Sequence, residues 1–169
     1  MMKNKILSAV FSLTALFVTG CVCGNEEDAV AAAREQILQN KAGCILIKEG
    51  LIVRQAGGRG LGPILDLCRS CPGDMQDAVL VDKVIGKAAA MIAVCGKVRR
   101  VHAELICDSA VELLQKHGIR VSWTLKVENI LNRRRDGLCP MESAVLNISD
   151  PQEGFRVLEK AVAAMRNGR

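Results

Sequence analysis

Apolar residues recur along this chain in short blocks, each followed by a stretch at helical spacing, and that alternation predicts the elements. Cys44-Ile45-Leu46-Ile47 and Leu51-Ile52-Val53, parted by Lys48-Glu49-Gly50, read as a β-hairpin. Gly57-Gly58-Arg59-Gly60 breaks the chain, and a short helix starts near Pro63, a residue suited to a first helical turn. Ala78-Val79-Leu80-Val81 is a short apolar run of the kind a buried strand makes. A small-residue helix follows from Gly86 to Val94, then a strand from Val101 to Ile106. Asp108 to His117 has helical spacing and is stopped by Gly118, and Ile119 to Leu125 is a further strand. Met141 to Leu146 and Pro151 to Met165 predict two last helices, the second capped by Asp150. Strand and helix therefore alternate after an opening hairpin, which is the order of a three-layer α/β/α domain with a mixed sheet. Right-handed crossovers place the middle helices against that sheet.

The first residues follow a different pattern. Lys3 and Lys5 precede an uncharged run from Ile6 to Val18, long enough for the apolar part of a signal peptide and short for a helix that spans a bilayer. Val18-Thr19-Gly20-Cys21 resembles a bacterial lipobox, in which the Cys21 thiol carries the lipid. The expected organisation is a signal peptide over 1–21, a spacer with an N-terminal helix over 22–41, and one domain over 42–169. The expected location is the cell envelope, with a membrane partner held through the lipid; the alternative is a cytoplasmic protein whose start lies downstream.

Composition narrows the function. Half of the 169 residues are apolar and 24% charged, but there are only three Phe, one Trp and no Tyr. So few aromatics argue against a platform for single-stranded nucleic acid. The formal charge is +5, and two of the positive charges are the leader lysines, which leaves too little to imply specific nucleic acid as a partner. Arg99-Arg100, Arg133-Arg134-Arg135 and Glu26-Glu27-Asp28 are short charge runs that read first as solvated surface, with the acidic run opening the spacer helix. Beyond Cys21, cysteines stand at 23, 44, 68, 71, 95, 107 and 139. Only Cys68-Arg69-Ser70-Cys71 has motif spacing, open to a redox dithiol, a disulfide in an oxidising compartment, half a zinc site or two unrelated thiols.

The segment from Val79 to Asn147 carries a resemblance, strongest in Asp82-Lys83-Val84-Ile85-Gly86-Lys87-Ala88-Ala89-Ala90, Asn132-Arg133 and Gly137-Leu138-Cys139-Pro140-Met141-Glu142. It resembles a family of small bacterial proteins of unknown function with a cytidine-deaminase-like fold. The resemblance covers roughly Ala42 to the C-terminus and implies a three-layer domain with its pocket at helix N-termini. It also implies assembly, with a homodimer as the simplest form. Such proteins usually begin without a leader, which keeps the downstream start open.

Zinc deaminases place His or Cys with a catalytic Glu at the start of one helix and Pro-Cys-x-x-Cys at the start of the next. Here the first position reads Gly86-Lys87-Ala88-Ala89-Ala90, without ligand or carboxylate, and the second keeps only Cys107, with Ala110 where another Cys would fall. His102-Ala103-Glu104 spells the deaminase tripeptide inside a strand, where His102 and Glu104 project from one face; His102 and His117 are expected at the surface or a strand edge, and Glu104 beside a base. Cys139-Pro140 reverses the Pro-Cys order. No metal and no cofactor are expected.

A helix that starts at Gly86 offers free N–H groups and its dipole beside Lys87, and the helix opened by Cys107-Asp108-Ser109 offers a second such end, capped by Asp108 or Ser109. Equally, Gly86 and the alanines suit close packing on a sheet. Arg133 can hold an anion, Asn132 gives donor and acceptor together, and Glu142 is a general base or an ion-pair partner; alternatively, Asn132 and Glu142 clamp a loop by satisfying backbone groups. The candidate binding set is Asp82, Gly86, Lys87, Ser109, Asn132 and Arg133, for a small anionic or nucleotide-like ligand. The candidates for catalysis are Cys107, Cys139 and Glu142. Three readings follow: a ligand-binding domain without catalytic zinc, an enzyme with a cysteine nucleophile, and a membrane-tethered interaction protein.

Overall fold

The computed structural model describes residues 25–167, and the expected signal peptide and the Cys21 lipid site lie outside that range. The elements are α1 (Glu26–Leu38), β1 (Cys44–Lys48), β2 (Leu51–Ala56), α2 (Gly62–Ser70), α3 (Pro72–Met75), β3 (Val79–Ile85), α4 (Lys87–Cys95), β4 (Arg100–Cys107), α5 (Asp108–Lys116), β5 (Arg120–Val127), α6 (Pro140–Ala144) and α7 (Pro151–Asn167). Five strands form one mixed sheet in the order β2-β1-β3-β4-β5. The β1/β2 and β1/β3 pairs are antiparallel, and the β3/β4 and β4/β5 pairs are parallel. This is the α/β arrangement with a mixed sheet that the sequence predicts.

Local chemistry accounts for most of these boundaries. The β1/β2 turn uses only Glu49 and Gly50, both at positive φ (51° and 74°), the twist that matches a two-residue hairpin. Gly118 at φ 72° ends α5 as expected. Asp150 caps α7, its two oxygens accepting the N–H groups of Gln152 (3.2 Å) and Glu153 (3.1 Å).

Two cores lie on the two sides of the sheet. On one, Val30, Ala33 and Ile37 of α1 meet Ile45, Ile47, Val79 and Val81. The helix expected as a spacer is thus a layer of the domain, because every third or fourth residue on one of its faces is apolar. On the other side α2, α4, α5 and α7 pack together, with Ala88 to Ala93 of α4 all buried. α7 comes so near α4 that a Cβ on Gly154 would stand 2.2 Å from the Met91 sulfur. The alanines of α4 therefore do serve close packing.

Several expectations need correction. β3 runs four residues past Val81, because Asp82, Val84 and Ile85 continue to pair with β4. His102 is buried, since β5 rather than β4 forms the sheet edge; its Nδ1 lies 2.9 Å from the Ser122 hydroxyl, and burial holds its pKa down. Two of the three charge runs meet each other, while Arg133-Arg134-Arg135 is exposed as expected. Arg99 donates to Glu26 and Arg100 to Glu26 and Glu27, tying the start of α1 to β4. Glu104 does sit beside a base: Arg34 of α1 donates to it at 2.6 Å, and the Thr124 hydroxyl at 2.8 Å.

Candidate functional site

The parallel strands deliver their C-terminal ends to the side of the molecule where the chain turns into α4. There a cleft of about 620 Å³ opens, within the range that small ligands occupy. Its walls come from five stretches: the turn between α1 and β1 (Asn40, Ala42, Gly43), the glycine-rich loop after β2 with the start of α2 (Arg59 and Ile64 among them), the end of β3 (Asp82 to Val84), the start of α4 (Gly86, Ala88, Ala89), and the segment 130–142 (Arg133, Cys139, Met141, Glu142 among them).

Glu142 fills the N-terminus of α4. Its Oε2 accepts the Lys87 N–H at 2.9 Å and its Oε1 the Ala88 N–H at 3.0 Å, so a carboxylate of the chain itself occupies the end expected to receive an external anion. Burial pushes this carboxyl above its usual range, opposed by the two backbone donors and by the Lys87 charge. The fit depends on Gly86: a Cβ there would lie 2.3 Å from Glu142 Oε1. The Lys87 ammonium turns to the Leu146 carbonyl at 2.8 Å and is not part of the cleft wall. Glu142 and Lys87 together clamp α6 and the turn after it onto α4.

Asp82 is the other acid in the wall. It is only 9% exposed, and backbone N–H groups alone hold it: Val84 donates to Oδ1 at 2.9 Å, and Lys83 also donates. Burial raises its carboxyl to about 7, and among the described residues no cation pairs with it. The neighbouring Lys83 side chain points to Asn40 Oδ1, 3.0 Å away. Arg59 and Arg133, both exposed, bring positive charge to the same cleft.

The remaining candidates divide. Cys139 is half-buried, caps α6 and faces the cleft. Cys107 is buried, with its sulfur 3.2 Å from the Ser109 hydroxyl, and neither residue lines the cleft. Neither Asp108 nor Ser109 caps α5; the N-cap is Cys107, without a side-chain bond, and Asp108 pairs with Lys126 at 2.7 Å. Asn132 closes a small hairpin, bridged at Leu131 and Leu138, by donating to Asp136 at 2.7 Å. Asn132 thus holds its loop through a side chain and not through the backbone groups anticipated, which Glu142 alone of the two satisfies. Asp82, Gly86, Arg133, Cys139 and Glu142 are therefore brought together, while Lys87, Cys107, Ser109 and Asn132 are not. Arg59 was missed, hidden in a run whose glycines read only as a chain break.

Among the described residues, no three His, Cys, Asp or Glu side chains converge to hold a metal ion. All six cysteines of the described range are free thiols, Cys68 and Cys71 included.

Fold and cleft thus define an α/β domain on a mixed five-stranded sheet, with a ligand-sized opening beside the end of β3. The family described as domain of unknown function DUF1893 (TM1506) matches residues 32–162, and the chain belongs to it. A solved DUF1893 family protein from Thermotoga maritima is similar over 81% of this chain and 92% of its own, at 24% identity and a TM-score of 0.70. RibD of Acinetobacter baumannii is similar at 16% identity and a TM-score of 0.48, over 59% of this chain and 36% of its own. The Thermotoga maritima diaminohydroxyphosphoribosylaminopyrimidine deaminase/5-amino-6-(5-phosphoribosylamino)uracil reductase is similar at 14% and 0.47, over 72% and 42%. No curated protein matches the chain.

Proposed function

We propose that this domain binds a small anionic ligand, of nucleotide-like size, in the cleft beside the C-terminal end of β3. The observation that carries the reading is the cleft itself, whose wall carries the exposed guanidinium groups of Arg59 and Arg133, while the Lys83 ammonium in the same wall donates to Asn40 and the Glu142 carboxylate is taken up by the start of α4. Open α/β sheets bind ligands outside the carboxyl ends of their strands. The helix end of α4 belongs to Glu142, so the two guanidinium groups, which can grip carboxylate or phosphate in two-point fashion, supply the anion contact. Calorimetric titration with nucleoside monophosphates and inorganic phosphate tests this. Arg133→Ala and Arg59→Ala should each weaken binding about tenfold or more, as the loss of a charge-assisted hydrogen bond implies. Affinities unchanged in both variants would remove the site.

A second reading draws on Cys139, the one candidate thiol in the cleft wall. As a nucleophile it would react with iodoacetamide near neutral pH in the folded protein, faster than the buried Cys107; equal inertness of both would end that reading.

The envelope location is a proposal of its own. Cys21→Ser should abolish recovery of the full chain with membranes if the lipobox is used, and unchanged recovery would favour the cytoplasmic alternative.

A further inference from the structure

Two kinds of charge share this cleft without meeting. Arg59 and Arg133 stand exposed in its wall, while Asp82 is buried in the same wall with only backbone donors around it. Removing a carboxylate from water without a cation or a full set of donors is costly, and folding alone gives no reason to keep one there. The other buried acid of the cleft, Glu142, has a structural task, because its two N–H donors belong to α4 and the bonds fasten α6 to that helix, whereas the donors to Asp82 are its own neighbours in β3. Asp82 retains acceptor capacity after the Val84 and Lys83 bonds, since a carboxylate offers about four lone-pair sites.

We infer that Asp82 is the cleft's recognition point for a planar ligand edge carrying two adjacent N–H donors, of the amidine, guanidine or guanine type. The inference rests on the anion-binding reading above and deepens it. The ligand is then bipolar, with an anionic group at Arg59 and Arg133 and a donor edge at Asp82. Two parallel N–H···O bonds match the geometry of one carboxylate, and they replace the water that burial has removed. A ligand lacking one of the two donors leaves a buried acceptor unmet, the situation in which protein sites discriminate most strongly.

Proton linkage gives a signature that a packing role would not produce. In the empty cleft burial raises the Asp82 carboxyl to about 7, whereas a donor edge favours the charged form, so binding expels a proton. Affinity for such a ligand then falls by about tenfold for each pH unit below 7. The other charged or titratable groups around Asp82 are Lys83 beside it on β3, whose ammonium donates to Asn40, Cys44 on the paired strand β1, Glu142 on α6, and Arg59 and Arg133. Burial beside Asp82 pushes the Cys44 thiol far up, so it stays neutral across this range.

The test compares guanosine monophosphate with inosine monophosphate, which lacks the exocyclic amine, by calorimetry on the wild type, Asp82→Asn and Arg133→Ala. The expected result is guanosine monophosphate bound at least about tenfold more tightly than inosine monophosphate, with a ratio near one in Asp82→Asn and both affinities reduced in Arg133→Ala. If both nucleotides bind through Arg133 but their ratio is near one and unmoved by Asp82→Asn, the assignment of Asp82 falls and the anion reading stands. If neither binds, guanidinoacetate, which carries a guanidinium and a carboxylate together, decides. Binding of guanidinoacetate that is lost in Asp82→Asn but kept in Arg133→Ala supports Asp82 and overturns the anion reading; no binding of any of the three overturns both. Thermal unfolding of Asp82→Asn confirms that the near-isosteric variant is folded.

Discussion

Glu104 and Asp82 are acids on neighbouring strands of one sheet, and the protein treats them in opposite ways. On the side covered by α1, Glu104 receives Arg34 and the Thr124 hydroxyl and is held down to about 2. On the side of the cleft, Asp82 receives backbone N–H groups only and is raised to about 7. A paired acid fastens one layer to another. An unpaired buried acid weakens the fold and marks the place where another molecule can supply what is missing.

The variant expected to act most strongly is Gly86→Ala, since its Cβ would run into Glu142 and push the carboxylate off the end of α4. Overpacking together with two unmet buried donors implies a loss of about 3 kcal/mol or more in chemical denaturation. The double variant Gly86→Ala with Glu142→Ala should be more stable than the two single losses added together imply, because the alanine then has room. Additive losses would mean that the clash is not the cause.

Asp82→Asn should act with the opposite sign. Its folded carboxyl lies near 7, against an ordinary 3.8, so the native state holds a proton that the unfolded chain has released. The stability that depends on Asp82 therefore falls as pH rises from about 4 to 7 and is level above. At pH 8 the asparagine variant should be more stable than the wild type by about 2 kcal/mol, and its pH slope in that window should be flatter. Equal stability of the two proteins at pH 8 would break the contrast with Glu104.

Glu104→Gln should produce a smaller loss, about 1 kcal/mol at neutral pH, because Arg34 is partly exposed and solvent screens the pair. The folded carboxyl lies below its ordinary 4.5, so this contribution is complete above that value and fades as pH falls toward 2. Wild type and variant should converge in acid. The smallest effect is expected at the exposed Arg69–Glu159 pair, 3.3 Å apart, where Glu159→Gln should leave the unfolding midpoint unchanged.

Much of the fold was legible because its signals are local. Apolar blocks gave the strands, the spacing after Asp108 gave α5, and Asp150 and Gly118 marked helix ends through chemistry that acts within three residues. The role of α1 was masked by Glu26-Glu27-Asp28, although Val30, Ala33 and Ile37 carry the spacing of a buried face. The site was legible only in part. Gly86, Arg133 and Glu142 stood out as candidates, but the bond between Glu142 and Ala88 spans 54 residues, and nothing local in the sequence joins them. Asp82 lies in the portion of β3 where polar residues end the apolar run, so neither its strand conformation nor its burial could be read there. Arg59 reaches the cleft only because the loop after β2 folds back over the start of β1 and the end of β3.

The most direct measurement is the titration of individual carboxyl groups by carbon-13 NMR, following Asp82 with Glu104 in the same protein as reference. A midpoint near 7 for Asp82 and near 2 for Glu104 is the predicted result. A midpoint for Asp82 close to its ordinary 3.8 would contradict the account, because the acid would then be solvated or paired and the cleft would hold no unmet charge.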